Sequence, residues 1–175
     1  MDALIVPLEA VRDFMEMGGD VLTLIAITIF LMWVLIIERL IYFRTGLKVM
    51  ATETKELWEA RSERKSWNAH QIRTGMISRF SMAANSGVPV IQTLVALCPL
   101  LGLMGTVTGM IEVFDVMAIS GSGNARSMAA GVSKATIPTM AGMVGALSGV
   151  FLIAIITRAI EIRVEQFQDA LTMDH

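Results

Sequence analysis

The sequence predicts an all-α integral membrane protein: three transmembrane helices, the second and third folded as a long hairpin, with further helices in the aqueous segments. Three observations carry that prediction. Composition is the first: 54% of the 175 residues are hydrophobic and only 17% are charged, where a soluble domain carries about 25% charged residues. Mean hydropathy is +0.63. The second is the presence of three uncharged apolar runs, each near the roughly 20 helical residues that span a hydrocarbon core of about 30 Å. The third is the placement of the basic residues, which cluster between the first run and the second.

The N-terminal segment carries Asp2, Glu9, Asp13, Glu16 and Asp20 against Arg12 alone. It lacks the basic start and short apolar core of a secretory signal, so no cleavage is expected. Leu4, Leu8, Val11 and Met15 recur at helical spacing, which predicts an amphipathic helix lying on the membrane surface or on a partner. Gly18-Gly19 breaks it, and Asp20 is placed to cap the first span.

Span one is Val21 to Ile37, extended by Leu40 to Phe43 beyond Glu38 and Arg39. That Glu38-Arg39 pair reads as an interfacial anchor. Span two runs from Val88 to Ile111 and meets its first charge at Glu112. Span three runs from Ala135 to Thr157, between Lys134 and Arg158. A chain in lipid must satisfy its own backbone hydrogen bonds, so uninterrupted apolar runs of this kind are helices.

Nine of the 14 basic residues lie between Arg39 and Arg79. The positive-inside rule puts that segment and the C-terminal tail in the cytoplasm, with the N-terminus and the link after span two outside. The segment from Thr45 to Gly87 reads as mostly helical, with a break around Ser66 to Asn68. Leu47, Met50, Leu57 and Arg61 fall near one face, with Trp58 beside it. The link Ile119-Ser-Gly-Ser-Gly-Asn-Ala is turn chemistry, which makes spans two and three an antiparallel hairpin. Thr157 to Phe167 keeps a helical pattern as span three leaves the membrane.

Small residues mark the hairpin. Gly102, Gly105 and Gly109 line span two. Gly131, Ala135, Pro138, Gly142, Gly145 and Gly149 recur every three or four residues along span three. Such stripes allow close backbone approach between membrane helices, within one chain, between subunits, or both. Polar groups inside the hairpin spans are few: Thr93, Thr106, Thr108, Thr136, Thr139 and Ser148. A membrane threonine usually bonds a carbonyl of its own helix. Thr106 and Thr139 nevertheless sit near mid-span, where a hydroxyl can both donate and accept along a proton path. Lys134, near the outer edge, reads equally as a snorkelling anchor or a pore-side charge, and a pair with Glu112 across the hairpin is expected. Pro138 removes one helical hydrogen bond and can bend its span.

One cysteine (Cys98) and two histidines leave no disulfide framework or metal pattern, and no catalytic constellation, nucleotide turn or nucleic-acid signature appears. No carboxylate lies at mid-depth in any span. A proton-driven device needs an ionisable group in the membrane, so here a partner chain would have to supply it.

Cys98 to Met110 (CPLLGLMGTVTGM) resembles the APLLGLLGTVxGM signature of the ExbB/TolQ/MotA proton-channel family. Gly131 to Gly142 (GVSKATIPTMAG) resembles its GIAEALIATAxG signature, and Glu38-Arg39-Leu40 its ERL motif. The resemblance covers roughly Val21 to Gln166 and is closest to a short ExbB. It implies a cytoplasmic-membrane protein, multi-pass, forming a homopentamer whose second and third helices line a central pore. It implies an ExbD-like single-span dimer in that pore, whose Asp carries the proton, and a TonB-like protein that passes on the work. No cofactor is implied; the coupling ion is the proton. Domains then divide as a periplasmic amphipathic helix (1–19), span one (20–44), a cytoplasmic helical segment (45–87), span two (88–116), a periplasmic link (117–127), span three (128–157) and a cytoplasmic tail (158–175).

Carried over by position, Thr106 and Thr139 match pore threonines of the family. Pro99, Gly102, Gly105 and Gly109 match helix-packing positions. Lys134 stands where the family pattern has Glu, and Pro138 replaces a usual Ala. The implied function is an ExbB-like channel subunit that couples the proton motive force to outer-membrane transport. A TolQ-like envelope subunit and a non-conducting scaffold are the alternatives, and an enzyme is not expected.

Overall fold

A computed structural model describes residues 2–120 and 125–172 of the chain, with the side chains of 2–10, 14, 16, 17, 120, 125 and 127 left undescribed. Leu4 and Leu8 of the expected amphipathic face, and the centre of the expected outer link, therefore lie outside the described residues. Every described element is an α-helix: α1 (Asp2–Arg44), α2 (Gly46–Glu59), α3 (Trp67–Asn85), α4 (Val88–Ser120) and α5 (Ala125–Ala170). Among the described residues three helical stretches are long and apolar enough to cross a membrane. At 1.5 Å per residue, the 33 residues of α4 and 46 of α5 extend about 50 and 70 Å. Both exceed the hydrocarbon thickness and project into water.

Two glycines punctuate the chain where no other residue fits easily. Gly19 has φ 66 and ψ −162 inside α1, a region open essentially to glycine alone, so the axis breaks between the N-terminal turns and span one. Gly87, at φ 80, follows the end of α3 and turns the chain into α4, the usual left-handed glycine past a helix C-terminus.

The chain divides into two compact units. The first takes Met1–Trp33 and Thr93–Val150. Leu22, Ile25, Met32, Val95 and Cys98 are buried in it, while large apolar side chains such as Phe30 and Leu147 stay about two-thirds exposed. Outward-facing bulk of that kind suits lipid as the surrounding solvent.

The second unit takes Val34–Gln92 and Phe151–His175, and its helix ends are tied down by side chains. Arg39 on α1 is 6% exposed. Its Nη2 donates to the carbonyls of Ala83 (2.6 Å) and Ala84 (2.5 Å) at the end of α3. Arg73 on α3 donates from Nε to the Leu171 carbonyl and from Nη2 to that of Gln168, both at 2.7 Å. Trp58 Nε1 on α2 donates to the Thr172 carbonyl at 3.0 Å. These bonds satisfy carbonyls that a helix C-terminus leaves without partners, and each cation also complements the negative end of a helix dipole. The Glu38-Arg39 pair thus divides its work. Glu38 is exposed, whereas Arg39 is turned inward onto α3.

The break in the segment after span one covers 60–66 and reaches Ser66, the N-cap of α3. The buried side of α2 also differs from the stripe expected of it. Leu47 and Trp58 are buried, while Leu57 is 64% exposed. Trp58 sets that face because its indole reaches Thr172, which rotates Leu57 to solvent.

Candidate functional site

The candidate site is the part of the α4–α5 hairpin that lies in the first unit, residues 93–120 and 125–150. Its register follows from the small residues. Gly102 faces the backbone of Thr139 and Pro138, Gly105 the ring of Pro138, Gly109 the Cβ of Ala135, and Gly131 the side chain of Val113. Gly142 meets the carbonyl of Cys98. Further along, Gly145 and Gly149 receive side chains of α1, Ile29 and Met32, with Val95 also against Gly149. The stripe is therefore filled from within the chain: α4 covers one half of it and α1 part of the other. A Cβ at Gly109 would lie 2.8 Å from the Ala135 Cα, and one at Gly142 would lie 2.5 Å from the Cys98 carbonyl oxygen. Both are backbone contacts that cannot swing aside. Pro138 is buried with its ring under Gly105, so packing accounts for its presence. Pro99 is exposed on α4.

The hydroxyls separate into two kinds. Thr106 donates to Leu103 at 2.7 Å, Thr136 to Ser133 at 2.8 Å, Ser148 to Gly145 at 2.7 Å, and Thr108 is shared between Met104 and Gly105 at 3.1 Å each. All of these stay on their own helix, the usual habit of such residues. Thr139 does not. Its Oγ1 donates at 3.0 Å to the carbonyl of Gly102 on the facing helix. The contact is possible only because Gly102 has no side chain to hold the helices apart. Thr106 lies four residues beyond Gly102 on the same face of α4, one turn toward the link.

At the link end of the hairpin, Lys134 Nζ is 3.5 Å from Glu112 Oε2, with both side chains about half or more exposed. The structure thus brings Lys134 and Glu112 together. Between Lys134 and Arg158, and between Arg79 and Glu112, no ionisable acid or base occurs other than Cys98. The seam of the hairpin is a neutral one that carries hydroxyls and a carbonyl. A hydroxyl that donates to a carbonyl keeps lone pairs with which to accept from water or from a protonated acid. Chemically the seam can relay or orient a proton, and it cannot store one.

Two polar residues that position this architecture gave little sequence signal. Thr28 is 6% exposed in span one and donates to the Leu24 carbonyl at 2.8 Å. Arg73, which holds the end of α5, sits in a stretch rich in Lys and Arg where nothing distinguishes it.

The model of the MotA/TolQ/ExbB proton channel family matches residues 42–169. Two proteins of Synechocystis sp. (strain ATCC 27184 / PCC 6803 / Kazusa) are similar over shorter stretches. One is named as a biopolymer transport protein, ExbB-like 1; it is 45% identical over 64 residues, which is 35% of this chain and 25% of that protein. The other, named ExbB-like 3, is 30% identical over 98 residues, 55% of this chain and 43% of that protein. The chain thus matches less than half the length of either relative. The family match takes in α4 and all but the last residue of α5, with Thr139 on Gly102 and Lys134 beside Glu112, and the chain belongs to the MotA/TolQ/ExbB proton channel family.

Proposed function

We propose that this chain is an ExbB-like channel subunit of a stator complex. That complex couples the proton motive force across the cytoplasmic membrane to energy-dependent transport at the outer membrane. One observation supports the reading above others: the hairpin seam presents hydroxyls at mid-span and no titrating acid. In a family of proton channels such a seam calls for an acid from elsewhere, here the membrane-buried Asp of an ExbD-like single-span dimer. The chain would assemble as a homopentamer around that dimer, with a TonB-like protein receiving the work. Its N-terminus would be periplasmic and its C-terminus cytoplasmic, since the basic residues concentrate in the segment between spans one and two. A charge that crosses 100 mV gains about 2.3 kcal/mol, so a few protons supply enough energy for a conformational cycle. The role needs no cofactor and no catalytic group.

The test is co-reconstitution with the neighbouring single-span protein in proteoliposomes, read as proton flux under an imposed potential, beside energised uptake in cells. Thr106→Ala and Thr139→Ala should abolish flux and uptake while leaving the complex assembled. Full activity in both variants would overturn the path through these threonines. A competing reading, a non-conducting scaffold, draws on the filling of the glycine stripe from within the chain; it requires that the wild-type complex pass no protons. A TolQ-like role would be marked by rescue of envelope integrity in place of uptake.

A further inference from the structure

Span one and span three each end in an exposed charge, of opposite sign, and both charges lie in the second unit. Glu38 follows Ile37 and Arg158 follows Thr157, the last residues of the two uncharged runs. Neither makes a hydrogen bond or an ion pair among the described residues. Glu38 opens onto a groove of about 510 Å³ that Val34, Ile37 and Ile41 also line. Arg158 stands in a stripe with Phe151, Ile155 and Ile162, spaced four, three and four residues apart. These six apolar side chains are about half or more exposed, so each charge sits on a bare apolar helix face.

The two charges share a depth. One crossing separates span one from span three, so the two run in the same direction. The Arg163 guanidinium lies 5.6 Å above the Phe43 ring. Glu38 and Arg158 are each five residues back from that contact, about 8 Å along the axis. Five residues also turn a helix, which leaves each charge about 140° round from the side on which α1 and α5 meet there. On parallel helices the turns have the same sense, so the two charges leave the helix pair on opposite sides. They are level with each other and face apart.

Other groups do not serve Glu38. Arg39 is committed to the carbonyls of Ala83 and Ala84. Arg44 lies six residues beyond Glu38, and Arg79 nine before Val88, where span two begins; both are roughly 9 Å or more out into the water. The phosphate of a lipid suits Arg158 and repels Glu38. The cation that remains at this depth is Arg158 of another copy.

We propose that Glu38 of each chain pairs with Arg158 of the next, the arginine entering the α1 groove beside Ile37 and Ile41. The inference rests on the homo-oligomer of the function proposed above. Because the two faces lie on opposite sides of one chain, the contact is head to tail and repeats round a closed ring. The flanking apolar stripes shield the pair from water, which lowers the local dielectric and strengthens the attraction.

The experiment co-expresses two differently tagged copies of the full-length chain with the neighbouring single-span protein. One copy carries Glu38→Cys and the other Arg158→Cys. Membranes are treated with a short bismaleimide, whose reach suits side chains set further apart than a disulfide allows. A linked species that carries both tags is expected. Either variant co-expressed with wild type, which retains Cys98, should give none. In parallel, native mass spectrometry reads the assembled fraction. Each single reversal, Glu38→Arg or Arg158→Glu, should lower it about tenfold by setting like charges side by side. The two reversals in one chain should restore it, which separates lost pairing from lost folding. An assembled wild type without the doubly tagged link, or a double reversal no better than the singles, overturns the proposal and leaves these faces to lipid, with the oligomer intact. A wild type found as single copies overturns the oligomer itself, and the pair with it.

Discussion

The guanidinium of Arg39 is bonded to the carbonyl of Ala84, forty-five residues away in sequence, and to that of Ala83 beside it. A cation at the end of span one thus closes the C-terminus of α3. Arg39→Met removes both donors and leaves buried carbonyls unpaired, at a cost of about 2–4 kcal/mol. A lowered melting temperature in detergent, with early hydrogen exchange at the end of α3, should report it. Arg39→Lys should recover only part, because an ammonium lacks the planar fork.

Alanine at each hairpin glycine should rank by what its Cβ meets. Gly142→Ala and Gly109→Ala press on backbone at Cys98 and Ala135, and overpacking of this kind costs about 1–3 kcal/mol. Gly145→Ala meets only the far end of the Ile29 side chain, which can rotate away, so its cost should be smaller. Thermal melts of the three variants test the order; an equal or greater loss in Gly145→Ala would refute the assigned register.

The Lys134–Glu112 pair is exposed, and pairs of that kind contribute about 0–1 kcal/mol. Lys134→Gln should therefore leave the melting temperature nearly unchanged. If the pair matters for activity, Glu112→Lys with Lys134→Glu should restore what either single reversal removes, and added salt should weaken the wild-type contact. Failure of the double variant to rescue would assign Lys134 to something other than Glu112.

Glu63 accepts from the Ser66 hydroxyl at 2.9 Å and from the Ser66 backbone N–H at 2.5 Å. Those bonds, the hydroxyl's foremost, hold its carboxyl below the ordinary value of 4.5. A lowered folded-state value means that the contribution is present above pH 4.5 and is lost as pH falls through the lowered value. Amide exchange at Ser66 and Ala69, where Ser66 Oγ caps α3, should accelerate over that acid range. Glu63→Gln should show the faster exchange already at pH 7 and lose the acid dependence.

The three spans were legible from hydropathy because lipid imposes one requirement on every residue of a crossing. The glycine stripe was legible because its spacing is helical, although spacing alone leaves open which surface fills it. Lys134 beside Glu112 followed from the turn chemistry of the link, which forces the two helix ends together. Arg39 and Arg73 were different. Both lie in a basic segment where orientation already accounts for any cation, and their partners are main-chain carbonyls, which leave no trace in composition. Thr139 was singled out for its depth and its resemblance to a pore position, but its bond to Gly102 could not be read, since hydroxyls in membrane helices bond within their own helix by default.

Because Thr139 binds a carbonyl of α4 and Gly142 abuts another, the two helices are keyed to each other through main chain. Sliding one along the other by a fraction of a turn would break the bond and drive Cβ atoms into backbone. Where these contacts lie, a displacement of either helix has to carry the other with it.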